Sequence, residues 1–539
     1  MIRAMKRKIR KDLSVWIATA AYVLFLLVCI LLYAMDYITN VIQVESFSQF
    51  LYTMQVGMGG AGNTIAQILK GFFLQYFFWI FSATVLYSLF LRLALKGRKY
   101  KKENGNPCYP SSQVITLNGT AALTAVAAAA TLVVQLGQGY DALKIDQYLT
   151  EQSITSTLYE DHYVMTDSSL VHAPQKKKNL IYIYMESMEA SFTDKAHGGG
   201  FEDNLIPNLE RIARENTDFR AKDDPYLNGG QVTNKTSWTV AGMVAQTSGT
   251  VLGVSNSKYN HSFDENMLFM PNIKSLGDLL EEQGYTNVLM CGSEASYAGR
   301  ANYFRQHGNY DIYDLDRMHA NGKLPKNYHE WWGYEDSKLV DFAKDKILEL
   351  AGSRKPFNFT MLTADTHFKD GYLCPDCPDS QDEQYENVIL CSDKRIGEFV
   401  DWIRQQDFYK DTVVVLAGDH LSMDGLISQS VGLDYGRKTY FSLLNGKEYT
   451  LNKTRDYTTL DLFPTTLEAM GFEIDGHRLG LGTSLYADIP TLCESMGFDE
   501  LNQQISYHNK RYEEEIMKDD GLEKDTKQPY KIPHKLEQG

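Results

Sequence analysis

The sequence predicts an α/β fold: a mostly parallel, doubly wound sheet preceded by an N-terminal bundle of about three transmembrane helices. Three observations predict it. Long apolar runs are confined to the first 136 residues; from Asn179 onward short β-rich runs alternate with amphipathic helical patterns; and acidic residues and histidines fall directly after the β-rich runs. A chain of 539 residues exceeds one ordinary core, and its formal charge of −15 gives no basic footprint for nucleic acid.

The first apolar run, "VWIATAAYVLFLLVCILLYAM" (residues 15–35), has no charge over 21 positions, enough at the helical rise to cross a hydrocarbon core. The second lies near 71–91 ("GFFLQYFFWIFSATVLYSLFL") and the third, rich in alanine, near 114–136. Arg3, Lys6, Arg7, Lys8, Arg10 and Lys11 precede the first run, and Lys96, Arg98, Lys99, Lys101 and Lys102 separate the second from the third. The basic flanks are expected in the cytoplasm, so three crossings place everything after about residue 140 on the far side of a multi-pass anchor.

Residues 137–178, ending in "APQKKKN", are polar and read as a juxtamembrane connector. A domain over 179–508 follows. Its expected strands are "LIYIYM" (180–185), "TNVLMC" (286–291), "FNFTML" (357–362), "TVVVLA" (412–417) and "TYFSLL" (439–444). "IPNLERIAREN" and "NIKSLGDLLEEQGY" carry apolar residues at helical spacing, the latter ending on a Gly suited to a helix terminus. Residues 509–539 are charged and read as a solvated tail.

In an open parallel sheet ligands bind beyond the carboxyl ends of the strands. Glu186 follows the first expected strand, "GSEASYAGR" the second, "TADTH" the third and "GDH", with Asp419 and His420, the fourth. A Glu, an Asp and histidines converging on one edge form an oxygen and imidazole set suited to Mn²⁺, Zn²⁺ or Mg²⁺. In "NGGQVTNKTSWTVAGMVAQT" the segment after Asn228-Gly229-Gly230 reads as a turn, and "TSWTVAGMVAQT" as the helix that follows. Hydroxyls at that helix start lie where backbone N–H groups and the helix dipole favour an anion such as phosphate. Thr236 is either an ordinary N-cap or, with a metal alongside, a nucleophile toward phosphorus.

Between Asn179 and Asp488, "NLIYIYMESME", "IPNLERIAREN", "NKTSWTVAGMVA", "SLGDLLEEQGYTNVLMCG", "LTADTHFKDGYL", "VVVLAGDH" and "YTTLDLFPTTLEAMG" occur in an order that resembles the alkaline phosphatase and sulfatase superfamily. Within it the chain resembles the membrane-anchored phosphoglycerol transferases, those of periplasmic glucans first and lipoteichoic acid synthases more distantly. The resemblance implies that Glu186, Thr236, Asp419 and His420 hold one divalent metal, Mn²⁺ first with Zn²⁺ or Mg²⁺ as substitutes. It implies Thr236 as nucleophile, His367 at the phosphoryl or glycerol group, and Arg300 and Trp238 on substrate. "CGSEASYAGR" lacks the histidine and tryptophan that lipoteichoic acid synthases carry upstream of that arginine, and three membrane helices are fewer than the five usual there.

The implied reaction moves phosphoglycerol from phosphatidylglycerol in the cytoplasmic membrane to a glycan hydroxyl on the periplasmic side, through a covalent phosphothreonine, with release of diacylglycerol. A phosphoethanolamine transferase using phosphatidylethanolamine, or a non-catalytic glycan- or lipid-binding relative, is the alternative. A true sulfatase needs Cys/Ser-x-Pro-x-Arg, and the nearest string, "CYPSS" at 108–112, lacks the Arg. No GxxxxGK[ST] motif points to a nucleotide donor. Cys374 and Cys377 form "CPDC" after His367, which in a cytosolic protein would point to redox chemistry or half a zinc site and outside the cytoplasm reads as a local disulfide.

Overall fold

The computed structural model describes residues 2–37, 47–48, 50–51, 62–104, 126, 129–134, 136–253, 268–431 and 435–517. The chain divides into two compact units, residues 1–47 with 61–147, and residues 48–60 with 148–539.

In the first unit, helices α1 (Ile2–Asp36) and α2 (Gly62–Asn104) contain the first two apolar runs. They pack through stacked rings of Tyr22 and Tyr87, 4.7 Å apart, and a 2.7 Å hydrogen bond between the Tyr22 and Thr84 hydroxyls. Only Leu69–Leu89 is both long and apolar enough to cross a membrane among the described residues; Ala18–Ala34 is a shorter apolar helix. The third expected run, 114–136, lies mostly outside the described residues; 126, 129–134 and 136 are helical.

The second unit is built on a seven-stranded sheet. In chain order its strands are β1 (Asn179–Met185), β2 (Gly229–Gly230), β3 (Thr286–Cys291), β4 (Asp311–Tyr313), β5 (Phe357–Leu362), β6 (Thr412–Gly418) and β7 (Thr439–Leu444). The spatial order is β2-β7-β6-β1-β5-β3-β4. From β6 to β4 every pairing is parallel, and β7 and β2 run antiparallel at one edge. All five expected strands are present. Gly229 and Gly230 pair with Tyr440 and Thr439 at the edge of the sheet, and the turn expected after them lies at residues 233–236. A side chain at Gly229 would meet the Thr439 carbonyl oxygen at 1.9 Å, which is why this edge is built of glycine.

Strand alternation divides the core in two. Leu180, Tyr182 and Tyr184 face one layer, and Ile181, Ile183 and Met185 the other. The first layer packs α4 (Thr239–Ser248) and α5 (Leu276–Glu282); the second packs α3 (Pro207–Glu215), α6 (Asp336–Gly352) and α7 (Gln384–Arg404). Two expected boundaries move. Leu158, Tyr159 and Tyr163, in the expected connector, are buried in the first layer, and Val171 pairs with Ile474. Tyr512, Ile516 and Met517, in the expected tail, are buried in that layer too, and residues 518–539 lie outside the described ones. Within the described parts of both stretches, a few aromatic and aliphatic side chains close the core, a pattern too sparse to register as periodicity.

Candidate active site

The site forms where the sheet's connections reverse. β1 is flanked by β5 on one side and β6 on the other, both later in the chain, which opens a crevice at their carboxyl ends. Register does the rest. Met185 lies opposite Gly418, so the next residues, Glu186 and Asp419, emerge side by side. On the other flank the Glu186 amide donates to Thr363 Oγ1 at 3.0 Å.

Beyond β1 the chain turns through Ser187, whose φ of 56° is unusual for a residue with a side chain. The turn aims the Ser187 amide at Asp419 Oδ1, 2.8 Å away, and the His420 amide donates to the same oxygen at 2.9 Å. Asp419 Oδ2, wholly buried, accepts no hydrogen bond among the described residues. His420 Nε2 stands 3.3 Å from Glu186 Oε1 and 3.4 Å from Asp419 Oδ2. Ligand atoms of Glu186, Asp419 and His420 fall within 4.8 Å of one another. His420 Nδ1 is 2.7 Å from the Leu421 carbonyl, which can only accept, so Nδ1 holds a proton and Nε2 faces the carboxylates.

Electrostatics match this packing. Burial disfavours the His420 imidazolium, but Asp419 and Glu186 outweigh it and hold the pKa up at about 10. Burial would raise Glu186, yet His420 and His367 bring it down to about 2; Asp419, buried beside that anion, is pushed up to about 7. A buried acceptor without a donor, a second carboxylate and an imidazole nitrogen within one ion's reach fit a divalent cation.

Thr239, rather than Thr236, hydrogen-bonds to this cluster among the described residues. Thr239 Oγ1 is 3.4 Å from both Glu186 Oε2 and His420 Nε2, and the residue is half-buried. Thr236 is fully buried, its hydroxyl donating to the Thr233 carbonyl at 2.8 Å. The physical reason is where α4 begins. Residues 233–236 form a tight turn, Trp238 is the extended N-cap, and Thr239 is the first helical residue. Gly242 sets the distance: a Cβ there would lie 2.1 Å from the Asp419 carbonyl oxygen, so its absence seats the first turn of α4 against the end of β6. Gln246, one turn on, locks the contact by donating to the Gly418 carbonyl at 2.9 Å and accepting from Tyr182 at 2.8 Å.

Trp238, expected on substrate, points into the hydrophobic core, 7% exposed. Arg300 is buried, its guanidinium donating to Ser293 Oγ at 2.7 Å and the Glu294 carbonyl at 3.0 Å on its own loop; its described hydrogen bonds do not join it to the cluster. His367 does approach the cluster. Burial lowers its pKa, opposed by the nearby Glu186 charge, and Nδ1 sits 2.6 Å from the Phe368 carbonyl, leaving Nε2 as an acceptor. Its ring packs 4.7 Å from that of Trp332, a half-buried residue that sequence reading missed because "HEWWGYED" lies far from any expected strand end. The His367 loop is fastened to α6: Asp336 accepts from the Ala364 and Asp365 amides at 2.8 and 3.0 Å, and Asp365 accepts from the Asp336 amide at 3.1 Å. Cys374 and Cys377, expected as a disulfide, are free thiols, and Cys391 of α7 joins them.

The Sulfatase family model matches residues 178–472. A phosphoglycerol transferase I of Xanthomonas campestris pv. campestris (strain B100) is 30% identical over 451 residues, 81% of this chain and 57% of that protein. Phosphoglycerol transferase I of Escherichia coli (strain 55989 / EAEC) is 30% identical over 317 residues, 58% of this chain and 39% of its own. The chain thus spans about half the length of the curated relatives it matches. Among solved structures, the lipoteichoic acid synthase LtaP of Listeria monocytogenes is 18% identical with a TM-score of 0.45, covering 62% of this chain and 82% of that one.

Proposed function

The chain belongs to the sulfatase family, and from that premise we propose that it is a membrane-anchored transferase that moves phosphoglycerol from phosphatidylglycerol to a glycan hydroxyl through a covalent phosphothreonine at Thr239. The observation that carries this reading is the half-buried Thr239 hydroxyl at the first residue of α4, 3.4 Å from Glu186 and from His420. Similarity to proteins named phosphoglycerol transferase I supports the choice of transferred group.

In this reading Glu186, Asp419, His420 and Thr239 hold one divalent cation, which when bound lowers the hydroxyl pKa and neutralises phosphoryl charge. Manganese is the first choice, with zinc or magnesium as substitutes. Thr239 Oγ1 attacks phosphorus as the bond to the diacylglycerol oxygen breaks, while the amides opening α4 and its dipole face the phosphoryl oxygens. His367 Nε2 takes the threonine proton and delivers it to the departing diacylglycerol oxygen. A glycan hydroxyl then attacks the phosphothreonine, and its proton returns by the same imidazole to Thr239. Trp332, packed on His367, offers an apolar wall to the glycerol group, and Arg300 serves on the rim only if its loop turns.

The apolar helix α2, exposed around its circumference with Phe77, Phe78 and Trp79 each more than half exposed, supports an anchor in the lipid that supplies the donor, with the second unit on the extracytoplasmic side. The test uses phosphatidylglycerol labelled separately in head group and acyl chains, with purified full-length protein, Mn²⁺ and a glucan. Acyl label in diacylglycerol with head-group label on glucan is expected. Consumption of phosphatidylethanolamine instead reassigns the donor, and turnover of neither lipid with any of the three metals rejects the transferase reading.

A further inference from the structure

Outside the candidate active site, one cluster of side chains has no part in the chemistry above. Cys374 and Cys377 lie on the loop that follows His367, and Cys391 lies on the second turn of α7. Their sulfurs converge: Cys374 Sγ is 3.4 Å from Cys377 Sγ and 3.6 Å from Cys391 Sγ, and all three lie within 4.8 Å of one another. Cys374 and Cys391 are buried and Cys377 is half-buried.

We propose that Cys374, Cys377 and Cys391 form a structural site for a thiophilic divalent cation of the zinc class, distinct from the candidate active site, which clamps the His367 loop to α7. Three features carry it. A metal–sulfur bond of about 2.3 Å in tetrahedral geometry separates sulfurs by about 3.8 Å, close to the spacings seen. A disulfide uses two sulfurs, whereas three from two separate elements meet here, and pairing any two strands the third beside them. The surroundings suit anionic sulfur: Arg395 Nη2 lies 3.2 Å from Cys374 Sγ and the Cys374 amide donates to Cys377 Sγ at 3.2 Å. Three thiolates around a dication carry one net negative charge, which the Arg395 guanidinium, shared with Asp365 and Asp376, partly offsets; the half-buried side of Cys377 leaves the fourth position to water.

The clamp connects to the chemistry by one residue. Arg395 also donates to Asp365 Oδ2 at 3.0 Å, and Asp365 is held to α6 two residues before His367. A filled site thus fixes Arg395, Asp365 and the loop together, making the three cysteines positioning residues for His367.

The test is cobalt titration of full-length protein purified anaerobically under reductant, because thiolate-to-cobalt charge transfer absorbs in the near ultraviolet and carboxylate and imidazole ligands do not produce that band. The wild type is expected to show the band and bind two ions per chain. Glu186→Gln should keep the band with one ion, and Cys391→Ser should lose the band with one ion. If Cys391→Ser does not fold, Cys377→Ser at the half-buried position gives the same reading. Absence of the band from wild-type protein whose three thiols are free overturns the proposal, as does a disulfide between any two of them in peptide mass analysis of the anaerobic preparation. Because the readout is spectroscopic, it stands apart from the transferase reading: lipid turnover can fail while the band is present, and the reverse.

Discussion

His420 carries the titration that separates a metal-free site from a loaded one. Its pKa, about 10 in the folded protein, is raised above the unfolded value of about 6.5. Its contribution to stability is therefore full below about pH 6.5 and is lost as pH rises through about 10. Chelated protein should lose melting temperature across that window, and His420→Gln should flatten the loss; an unchanged slope in the variant contradicts the assignment. A cation taken up by Nε2 must displace that proton. Calorimetry at about pH 8 in buffers of different ionisation enthalpy should report close to one proton released per Mn²⁺ bound, and heats independent of buffer would exclude His420 as a ligand. At this scale the sequence made Glu186, Asp419 and His420 legible, because a polar residue directly after an apolar β-rich run has one place to go. The proposed nucleophile was less legible: Thr236, Ser237 and Thr239 lie within four residues, and the start of α4 is what brings the Thr239 hydroxyl to the cluster. Gly242 held the signal, since a helix that must touch the end of a strand needs a glycine at the contact, and the residue one turn earlier then faces the strand end.

The element that makes the site is α4, and its seating on β6 is testable through that glycine. Gly242→Ala places a methyl 2.1 Å from the Asp419 carbonyl oxygen, and backbone cannot yield as a flexible side chain would. A cost of about 1–3 kcal/mol in stability is expected, with turnover falling by more than tenfold as Thr239 is displaced. Denaturant unfolding and lipid turnover on the same preparation check both, and full activity in a destabilised variant would mean that α4 does not position the hydroxyl. The apolar strands were readable because β1, β5 and β6 are covered on both faces and so are continuous hydrophobic runs. Asp311–Tyr313 was not readable, having three residues at the sheet edge, and Gly229–Gly230 carries turn composition yet pairs as a strand. Trp332 escaped notice because its approach to His367 is made by a loop, whose path no periodicity encodes.

At the scale of the whole molecule, the second unit closes its core with both of its ends. Tyr512 donates to the Val251 carbonyl at 3.0 Å and accepts from the Gly253 amide at 2.7 Å, and its ring packs 5.0 Å from that of Tyr159. Tyr512→Ala should cost about 3–5 kcal/mol, as for other buried aromatic truncations, whereas a solvated tail would lose nothing; the denaturation midpoint distinguishes them. These segments were illegible because their anchoring side chains are few and their partners are distant in sequence, Thr250 for Tyr159 at 91 residues and Val251 for Tyr512 at 261. The proposed transfer turns on one hydroxyl. The most direct measurement is peptide mass mapping of purified protein quenched during turnover of phosphatidylglycerol without acceptor, on wild type, Thr236→Ala and Thr239→Ala. A phosphoglycerol adduct on Thr239 in the wild type, retained in Thr236→Ala and absent from Thr239→Ala, is the predicted result. An adduct on Thr236, or one that survives Thr239→Ala, would contradict it.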